Sequence, residues 1–436
     1  MSEVLKASDF SKLEKIIKIV EDKGQIACYE TMDDSNKEIH MRYQIETERS
    51  DLFDVNIVIT MKVCLDKDVP IDELKSAFDK ACKVHEVLQS RVVIESTGEA
   101  YYVDNDRMAN SFSRTDQSLT DLIYSNERCR FRIEEGEFIR AYLSPDGLVF
   151  MMHHLGGDGK SLLYFIESFM RCLAGMECEK VPFKSLGPKD LPEKGKMPFF
   201  YRQLVRSWNH KWLRQKQVFD FTDMDTAYSK FWGEHRTKVW LKTYERNELE
   251  SLIKNAKNAG TSLTAYLIAD MIKDSKKKMD VGLAVDGRLD KNRSMGNQAT
   301  GISVQYRYDK NKSLDENARK IHKRMQKKLS NDRYRYFVLE FMGKLDSTLK
   351  DALNLERAGY FSRKFSKRIA GILGYGENVK DLSITNLTRA DIPLRYGDYT
   401  IEEIAFIPPI VSYAKNVIGI VTVGDVMNIS GRVYDE

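Results

Sequence analysis

The sequence predicts an α/β protein of two domains, each a mixed β-sheet packed with helices. Three observations lead to this prediction. The 436 residues exceed the length that one hydrophobic core usually organises. Segments in which apolar and polar residues alternate, as in half-buried strands, are followed by segments with an apolar helical face. This succession of strand-like and helical segments occurs in both halves of the chain. Sequence signals of hairpins favour a mixed sheet over a regular parallel one.

The composition excludes several classes of protein. With 42% hydrophobic and 31% charged residues, the chain is globular rather than disordered. The formal net charge of +4 is too small to predict nucleic-acid binding. The six cysteines include no C-x-x-C pair, so we expect reduced core thiols, no disulfide framework and no metal site. Without an export signal or an apolar run that could cross a membrane, we expect a cytoplasmic protein.

The chain is predicted to contain four segments. Residues 1–38 form an N-terminal helical extension, because Leu13, Ile16 and Val20 lie on one helical stripe. Residues 39–180 form the N-terminal domain, which includes a strand of alternating residues around Met61 and a hairpin of "RVVIE" and "AYYVD". Residues 181–235 form a linker with a crossover helix, and residues 236–436 form the C-terminal domain.

The linker is identified by its prolines and by one amphipathic segment. Four of the nine prolines lie between residues 182 and 198, in a stretch without strand periodicity. The following segment, "FFYRQLVRSWNHKWLRQKQ", places its tyrosine, leucine, valine and two tryptophans on one side of a helix. We favour a helix packed between the domains, and contact with a membrane surface is the alternative.

The most informative stretch is "GLVFMMHHLGGDGKSLLYFIESFMRCLAG", residues 147–175. It is predicted to be the second strand of a hairpin, a glycine-rich turn and a broad apolar helix. Gly159-Lys160-Ser161 after a strand suggests a phosphate-binding loop, but that motif needs a glycine where His154 stands. A bulky side chain there would leave fewer backbone N–H groups to bind a phosphate, so this interpretation is disfavoured.

The alternative is a site at which His154 transfers a proton. Gly156 and Gly157 are expected to turn the backbone tightly, which leaves the imidazole at the edge of a cleft while Asp158 and Gly159 begin the next helix. A histidine near neutral pKa can accept a proton from a hydroxyl or amine that attacks a carbonyl. A packing role for the histidines, with Asp158 as an N-cap only, remains open from spacing alone.

The segment "HHLGGDG", His153 to Gly159, matches the HHxxxDG signature of the chloramphenicol acetyltransferase-like superfamily. That superfamily includes condensation domains of nonribosomal peptide synthetases and acyl-CoA-dependent alcohol acyltransferases. The stretch "AVDGRLDKNRSMGNQAT" resembles the part of condensation-like proteins in which an arginine precedes a G-N pair, and "SITNLTRADIP" and "IAFIPPIVSYAKNVIGIVTVGDVMNIS" resemble their C-terminal strands. The resemblance extends from about Ile39 to the end, but the D-F-G-W-G signature of plant-type alcohol acyltransferases is absent.

This resemblance implies two chloramphenicol acetyltransferase-like domains with an active-site channel between them. It implies that His154 is the general base and that His153, Asp158 and Gly159 are structural residues of the active site. It further implies that Asp158 pairs with an arginine, for which Arg288 is the candidate.

The implied reaction is direct acyl transfer from a thioester to a hydroxyl or amine. The cosubstrate would be an acyl-CoA or a phosphopantetheine thioester, without a tightly bound cofactor, and the partners would be a small alcohol or amine and possibly a separate carrier protein. Thr385 is the candidate oxyanion donor, with Asn386 as second choice. Amide-bond formation between carrier-bound substrates and a non-catalytic binding module are the alternatives. The basic runs "KDSKKK" and "HKRMQKK" would suit an acidic carrier or CoA phosphates, although solvated helix faces are the commoner explanation.

Overall fold

The computed structural model describes residues 41–435 except 108, 291, 376–378 and 412–413. The predicted helical extension of residues 1–38 therefore lies outside the described residues.

The strands form two six-stranded sheets and one three-stranded sheet. In chain order they are β1 (Arg42–Gln44), β2 (Val58–Leu65), β3 (Ser90–Ile94), β4 (Ala100–Asp104), β5 (Ser111–Arg114), β6 (Ile139–Ser144), β7 (Gly147–His153), β8 (Thr237–Tyr244), β9 (Met279–Asp286), β10 (Ala299–Tyr306), β11 (Leu382–Arg389), β12 (Arg395–Tyr396), β13 (Tyr399–Ile407), β14 (Asn416–Val423) and β15 (Val426–Tyr434).

Helices cover the sheets and connect them. In chain order they are α1 (Arg49–Leu52), α2 (Ile71–Val84), α3 (Leu119–Asn126), α4 (Gly159–Leu173), α5 (Phe199–Leu213), α6 (Phe221–Glu234), α7 (Arg246–Asn258), α8 (Leu263–Met271), α9 (Leu314–Leu329), α10 (Asp332–Arg335), α11 (Phe337–Lys344), α12 (Ser347–Arg357) and α13 (Lys364–Leu373). None of the helices in the described part of the chain is both long and apolar enough to cross a membrane.

The first sheet has the strand order β12-β13-β2-β7-β6-β5. The predicted hairpin of β6 and β7 is confirmed, with antiparallel pairing from Ile139 and Met152 to Ser144 and Gly147. Helices α2 and α4 pack side by side, and most of their apolar residues are buried. Phe165 of α4 lies at the centre, with its ring edge-on to Phe78 and Phe150. This core fixes the end of β7, from which the two histidines emerge.

The second sheet has the order β10-β9-β11-β14-β15-β8, with antiparallel and parallel pairs. The predicted hairpin of β14 and β15 is confirmed. Leu382 and Ile384 of β11 belong to a separate core that α8 and α9 cover. Leu387, on the other face of the same strand, belongs to the core of the first sheet. Strand β11 therefore has one face toward each half of the molecule.

One C-terminal segment crosses to the first sheet. Strands β12 and β13 lie within the predicted C-terminal domain by position, yet β13 pairs with β2 from Ile401 and Leu65 to Ile407 and Thr60. Residues 395–407 thus complete the N-terminal sheet, an arrangement that hydrophobic periodicity cannot reveal because it does not identify partners. The boundaries at residues 38, 180 and 235 stay a prediction.

The predicted crossover helix is α5. Val205, Trp208 and Trp212 are buried, and the Trp212 indole donates a hydrogen bond of 2.8 Å to Thr348 of α12. Its first two residues, Phe199 and Phe200, remain exposed.

The cysteines follow their prediction only in part. All described cysteines are free, and Cys82 is buried. Cys129 is exposed, so the expectation of core thiols is wrong for that residue.

Candidate active site

His153 ends β7 and points into the core. Its side chain is buried against Phe131, and Nδ1 accepts a hydrogen bond of 3.2 Å from the backbone N–H of Leu155. Burial lowers the pKa of His153 to about 3, assisted by the neighbouring charge of His154. The neutral ring therefore supports the turn that follows it.

His154 begins a short 3₁₀ turn that ends at Gly156. Its backbone N–H donates to the carbonyl of Ile57 at 3.1 Å, and 15% of its side chain is exposed. Nδ1 is buried without a hydrogen bond and lies 3.8 Å from Oδ2 of Asp51. The other ring nitrogen, Nε2, is therefore the one that faces away from this carboxylate.

The glycine turn is tight because a side chain would not fit. Gly157 has a φ of 147°, and a Cβ there would lie 2.4 Å from Cβ of Ser161. Asp158 follows as the N-cap of α4, with Oδ1 accepting from the Ser161 N–H at 2.9 Å. The predicted start of the helix at Asp158 and Gly159 is confirmed.

Asp158 and Arg288 form a buried, bidentate ion pair. Nη1 of Arg288 lies 3.0 Å from Oδ2 of Asp158, and Nη2 lies 3.1 Å from Oδ1. The two side chains are only 5% and 3% exposed. Burial alone would raise the pKa of the Asp158 carboxyl, but the Arg288 charge and its hydrogen bonds outweigh that effect and hold the pKa below its usual value. The ion pair between these two predicted residues is therefore present and charged.

The loop between β9 and β10 brings the second sheet to this point. The N–H of Gln298 donates to Oδ2 of Asp158 at 3.0 Å, and the Ser161 hydroxyl donates to the carbonyl of Gly296 at 3.0 Å. Arg288 also contacts that hydroxyl. The histidine turn, the start of α4 and this loop are thus held by one hydrogen-bonded cluster.

Two acidic residues near the histidine turn, Asp51 and Glu48, were not predicted as part of the site, and Asn297 contacts both. Asn297 donates from Nδ2 to Asp51 at 2.7 Å and from its backbone N–H to Glu48 at 2.5 Å. Burial raises the pKa of both carboxyls, and that of Glu48 reaches about 8. The only sequence feature that pointed to this contact is the Gly296-Asn297 pair, which is part of the family resemblance. Helix α1, which together with its N-cap carries the two acidic residues, has a single turn and no apolar periodicity, so its sequence gave no indication of the site.

The geometry selects a chemistry for His154. An acceptor next to Nδ1 favours the tautomer that carries its proton there, which leaves a lone pair on Nε2. A carboxylate at 3.8 Å also stabilises the imidazolium that forms when Nε2 takes a proton. The arrangement is therefore suited to general base catalysis.

The two candidate oxyanion donors differ in their surroundings. Asn386 donates to the Thr264 hydroxyl at 2.9 Å and accepts from the Thr388 N–H, so it faces α8. Thr385 alternates with it and lies on the face that carries Leu387, toward the first sheet. Neither side chain forms a hydrogen bond with His154, and the role of Thr385 stays a prediction.

Lys160 does not form part of a phosphate cradle. Its Nζ lies 3.1 Å from Oδ2 of Asp286 and 3.5 Å from Oδ2 of Asp391. Within the described ranges, no group of three or more histidine, cysteine or acidic side chains is arranged to hold a metal ion.

No protein-family model matches the sequence, and no curated protein matches it either. Solved structures match most of the chain. The first condensation domain of the CDA synthetase has a TM-score of 0.57 at 12% identity, covering 89% of this chain and 87% of that one. The polyketide synthase associated protein 5 from Mycobacterium tuberculosis has a TM-score of 0.55 at 14% identity, covering 90% and 94%.

A third structure is a starter condensation domain of rhizomide synthetase, in complex with C8-CoA and Leu-SNAC. It has a TM-score of 0.56 at 11% identity and covers 90% of this chain and 88% of that one. The chain therefore has the two-lobed α/β fold of condensation domains, and the predicted fold class and resemblance are confirmed at the level of the fold.

The buried ion pair predicts a large stability effect. Replacing Arg288 with Gln leaves the Asp158 carboxylate buried without a cation, and we expect the free energy of unfolding to fall by about 3 to 5 kcal/mol. Urea denaturation measures this change. The control is Arg246→Gln, whose ion pair with Asp425 is solvent-exposed and should contribute less than about 1 kcal/mol. Equal losses in the two variants would contradict a special role for the buried pair.

Glu48 predicts a pH dependence of stability. Its pKa rises from 4.5 to about 8 on folding, so the folded state holds a proton that the unfolded state releases. This stabilisation is complete below the unfolded pKa and is lost as the pH rises toward 8. In the wild type, the unfolding free energy should therefore fall between about pH 5 and about pH 8, and in Glu48→Gln this fall should be smaller. Glu250→Gln, at an exposed site on α7, is the control, and unchanged slopes in Glu48→Gln would refute the assignment.

Proposed function

We propose that this protein is an acyltransferase that moves an acyl group from a thioester to a hydroxyl or amine, with His154 as general base. The observation that carries the proposal is the placement of His154, with Nδ1 toward Asp51 and its turn fixed by the Asp158–Arg288 pair. The chain that carries these residues has the fold of condensation domains, which supports an acyl-transfer reaction.

The proposed reaction proceeds by direct attack. The acceptor oxygen or nitrogen bonds to the thioester carbonyl carbon while its proton moves to Nε2 of His154. The tetrahedral intermediate then collapses, the carbon–sulfur bond breaks, and the proton returns to the departing thiolate. Asp51 stabilises the transient imidazolium. Thr385 is the proposed donor to the oxyanion, and no covalent acyl-enzyme is needed.

The proposed cosubstrate is an acyl-CoA or a phosphopantetheine thioester on a carrier protein. The C8-CoA bound in the rhizomide synthetase domain supports a thioester donor. A small alcohol or amine is the proposed acceptor. Amide-bond formation between two carrier-bound substrates is the second candidate, because structural matches include condensation domains of the CDA synthetase and of rhizomide synthetase. A cytoplasmic location stays a prediction.

Loss of the base should abolish turnover. We expect the wild type to release thiol from acyl-CoAs of short, medium or long chain when pooled alcohols and amines are added. His154→Ala should lower that rate by roughly 10²- to 10⁴-fold, the usual contribution of a general base. A thiol-reactive dye measures the release.

The matched control is His210→Ala, which removes an exposed histidine of α5 and should leave the rate unchanged. If the wild type is inactive with acyl-CoAs but active with pantetheine thioesters on a carrier protein, the donor is carrier-bound. Inactivity with both donors would overturn the proposed reaction and favour a binding module of the same fold.

Asp51 should support His154 without binding substrate. Asp51→Asn keeps the shape but removes the charge that stabilises the imidazolium, so we expect kcat to fall roughly 10- to 100-fold with little change in KM. Steady-state kinetics separate the two constants. Asp72→Asn, at an exposed position on α2, is the control. A rise in KM with unchanged kcat would instead place Asp51 in substrate binding.

A further inference from the structure

A basic groove lies at the outer edge of the second sheet, far from His154. It is an open cavity of about 460 Å³ beside residues 303–305 of the edge strand β10. Its charged and aromatic lining consists of Lys278, Arg324, Lys327, Lys328 and Tyr334. The two basic runs of the sequence, which are about fifty residues apart, thus meet in one groove.

The four cations of the basic groove lack acidic partners. No ion pair joins any of them to a carboxylate of the described residues, whereas Asp280, whose charge reaches Lys328, is paired with Lys380 at 2.7 Å. Burial lowers the pKa of Lys328, the charge of Asp280 offsets part of this effect, and the charge of Lys380 lowers the pKa again. An anion in the basic groove would therefore meet several cations that have no ion-pair partner among the described residues.

Two of the four cations have a structural role, because they cover the exposed edge of β10. Arg324 donates to the carbonyl of Gln305, and Lys328 donates to the carbonyl of Ser303, which protects an unpaired strand edge. The side chains of Lys278 and Lys327 are exposed and form no hydrogen bond with a described residue. Their charges are free to meet a ligand.

The basic groove also offers an aromatic face. Tyr334 is 46% exposed, and Nζ of Lys328 lies 5.8 Å from its ring centroid. An exposed ring beside several cations suits a ligand that joins a flat base to phosphate groups, since stacking and charge then act on one molecule.

The position of the basic groove fits a long ligand. Lys278 directly precedes β9, whose other end, Asp286, leads into the loop that carries Arg288. Eight residues at about 3.3 Å each separate the two ends by roughly 25 Å. Phosphates in the basic groove would therefore bind well away from the acyl group at His154.

From these observations, we propose that the basic groove binds the phosphate groups of an adenosine phosphate, the end of CoA that lies farthest from its thiol. This inference rests on the proposed function for the choice of CoA. The preference for a phosphate group follows from the cations that line the basic groove. A phosphopantetheine linked to a carrier protein would also supply a phosphate group.

The test is direct binding without turnover. Titration calorimetry of the whole protein at low salt measures the affinity for CoA and for adenosine 3′,5′-bisphosphate, which contains no thioester. We expect both to bind, and we expect the double variant Lys278→Gln/Lys327→Gln to weaken both by roughly tenfold. Because these side chains form no internal hydrogen bond, the fold should be preserved, which circular dichroism checks. The control Lys254→Gln/Lys257→Gln removes two exposed charges of α7 and should bind like the wild type.

Two further binding measurements distinguish CoA from a carrier-linked arm as the source of the phosphate, and distinguish this inference from the proposed acyl transfer. If 4′-phosphopantetheine competes and adenosine 3′,5′-bisphosphate does not, the phosphate comes from a carrier-linked arm. His154→Ala should bind the bisphosphate normally, so failure of the acyl-transfer proposal leaves this result intact. Wild-type affinity in the double variant, or no binding of any phosphate compound by the wild type, would overturn the inference.

Discussion

The buried contact between Asp158 and Arg288 is the interaction on which the candidate active site depends. Both groups lose their hydration, and further hydrogen bonds to the pair compensate for part of that loss. Here the Asp158 carboxylate also accepts from the backbone N–H groups of Ser161 and Gln298, whereas Nε of Arg288 is buried without a hydrogen-bond partner. The start of α4 and the loop from the second sheet must therefore be in place together, which couples the histidine turn to the docking of the two lobes.

Two adjacent histidines acquire different roles from their surroundings alone. His153 is enclosed by the core and neutral, with its Nδ1 engaged by the backbone of Leu155. His154 keeps a partly open ring whose Nδ1 faces Asp51. Because Asn297 holds that carboxylate in position, the chemistry at His154 is shaped by α1 from one end of the sequence and by the β9–β10 loop from its second half.

The sequence predicts those features that depend on local pattern. The β6–β7 hairpin, α4 and its N-cap follow from turn residues and apolar spacing, and the Asp158–Arg288 pair follows from the family resemblance. The crossing of β13 to the first sheet and the contact of Asp51 with His154 were not predictable, because both join segments far apart in the chain. An isolated acidic residue in a one-turn helix carries no pattern that would distinguish it from surface charge.

Electrostatics explains why phosphate recognition would be placed away from the reaction. Asp51 lies beside His154, and an anionic phosphate brought there would be repelled by its carboxylate and would disturb the charge balance of the base. The cations without acidic partners lie instead at the opposite end of β9 and β10. A donor with phosphates at one end and an uncharged thioester at the other would match this separation, since each end would meet groups of suitable charge. The length of the β9–β10 pair would then set the distance between the ligand's charged and reacting ends.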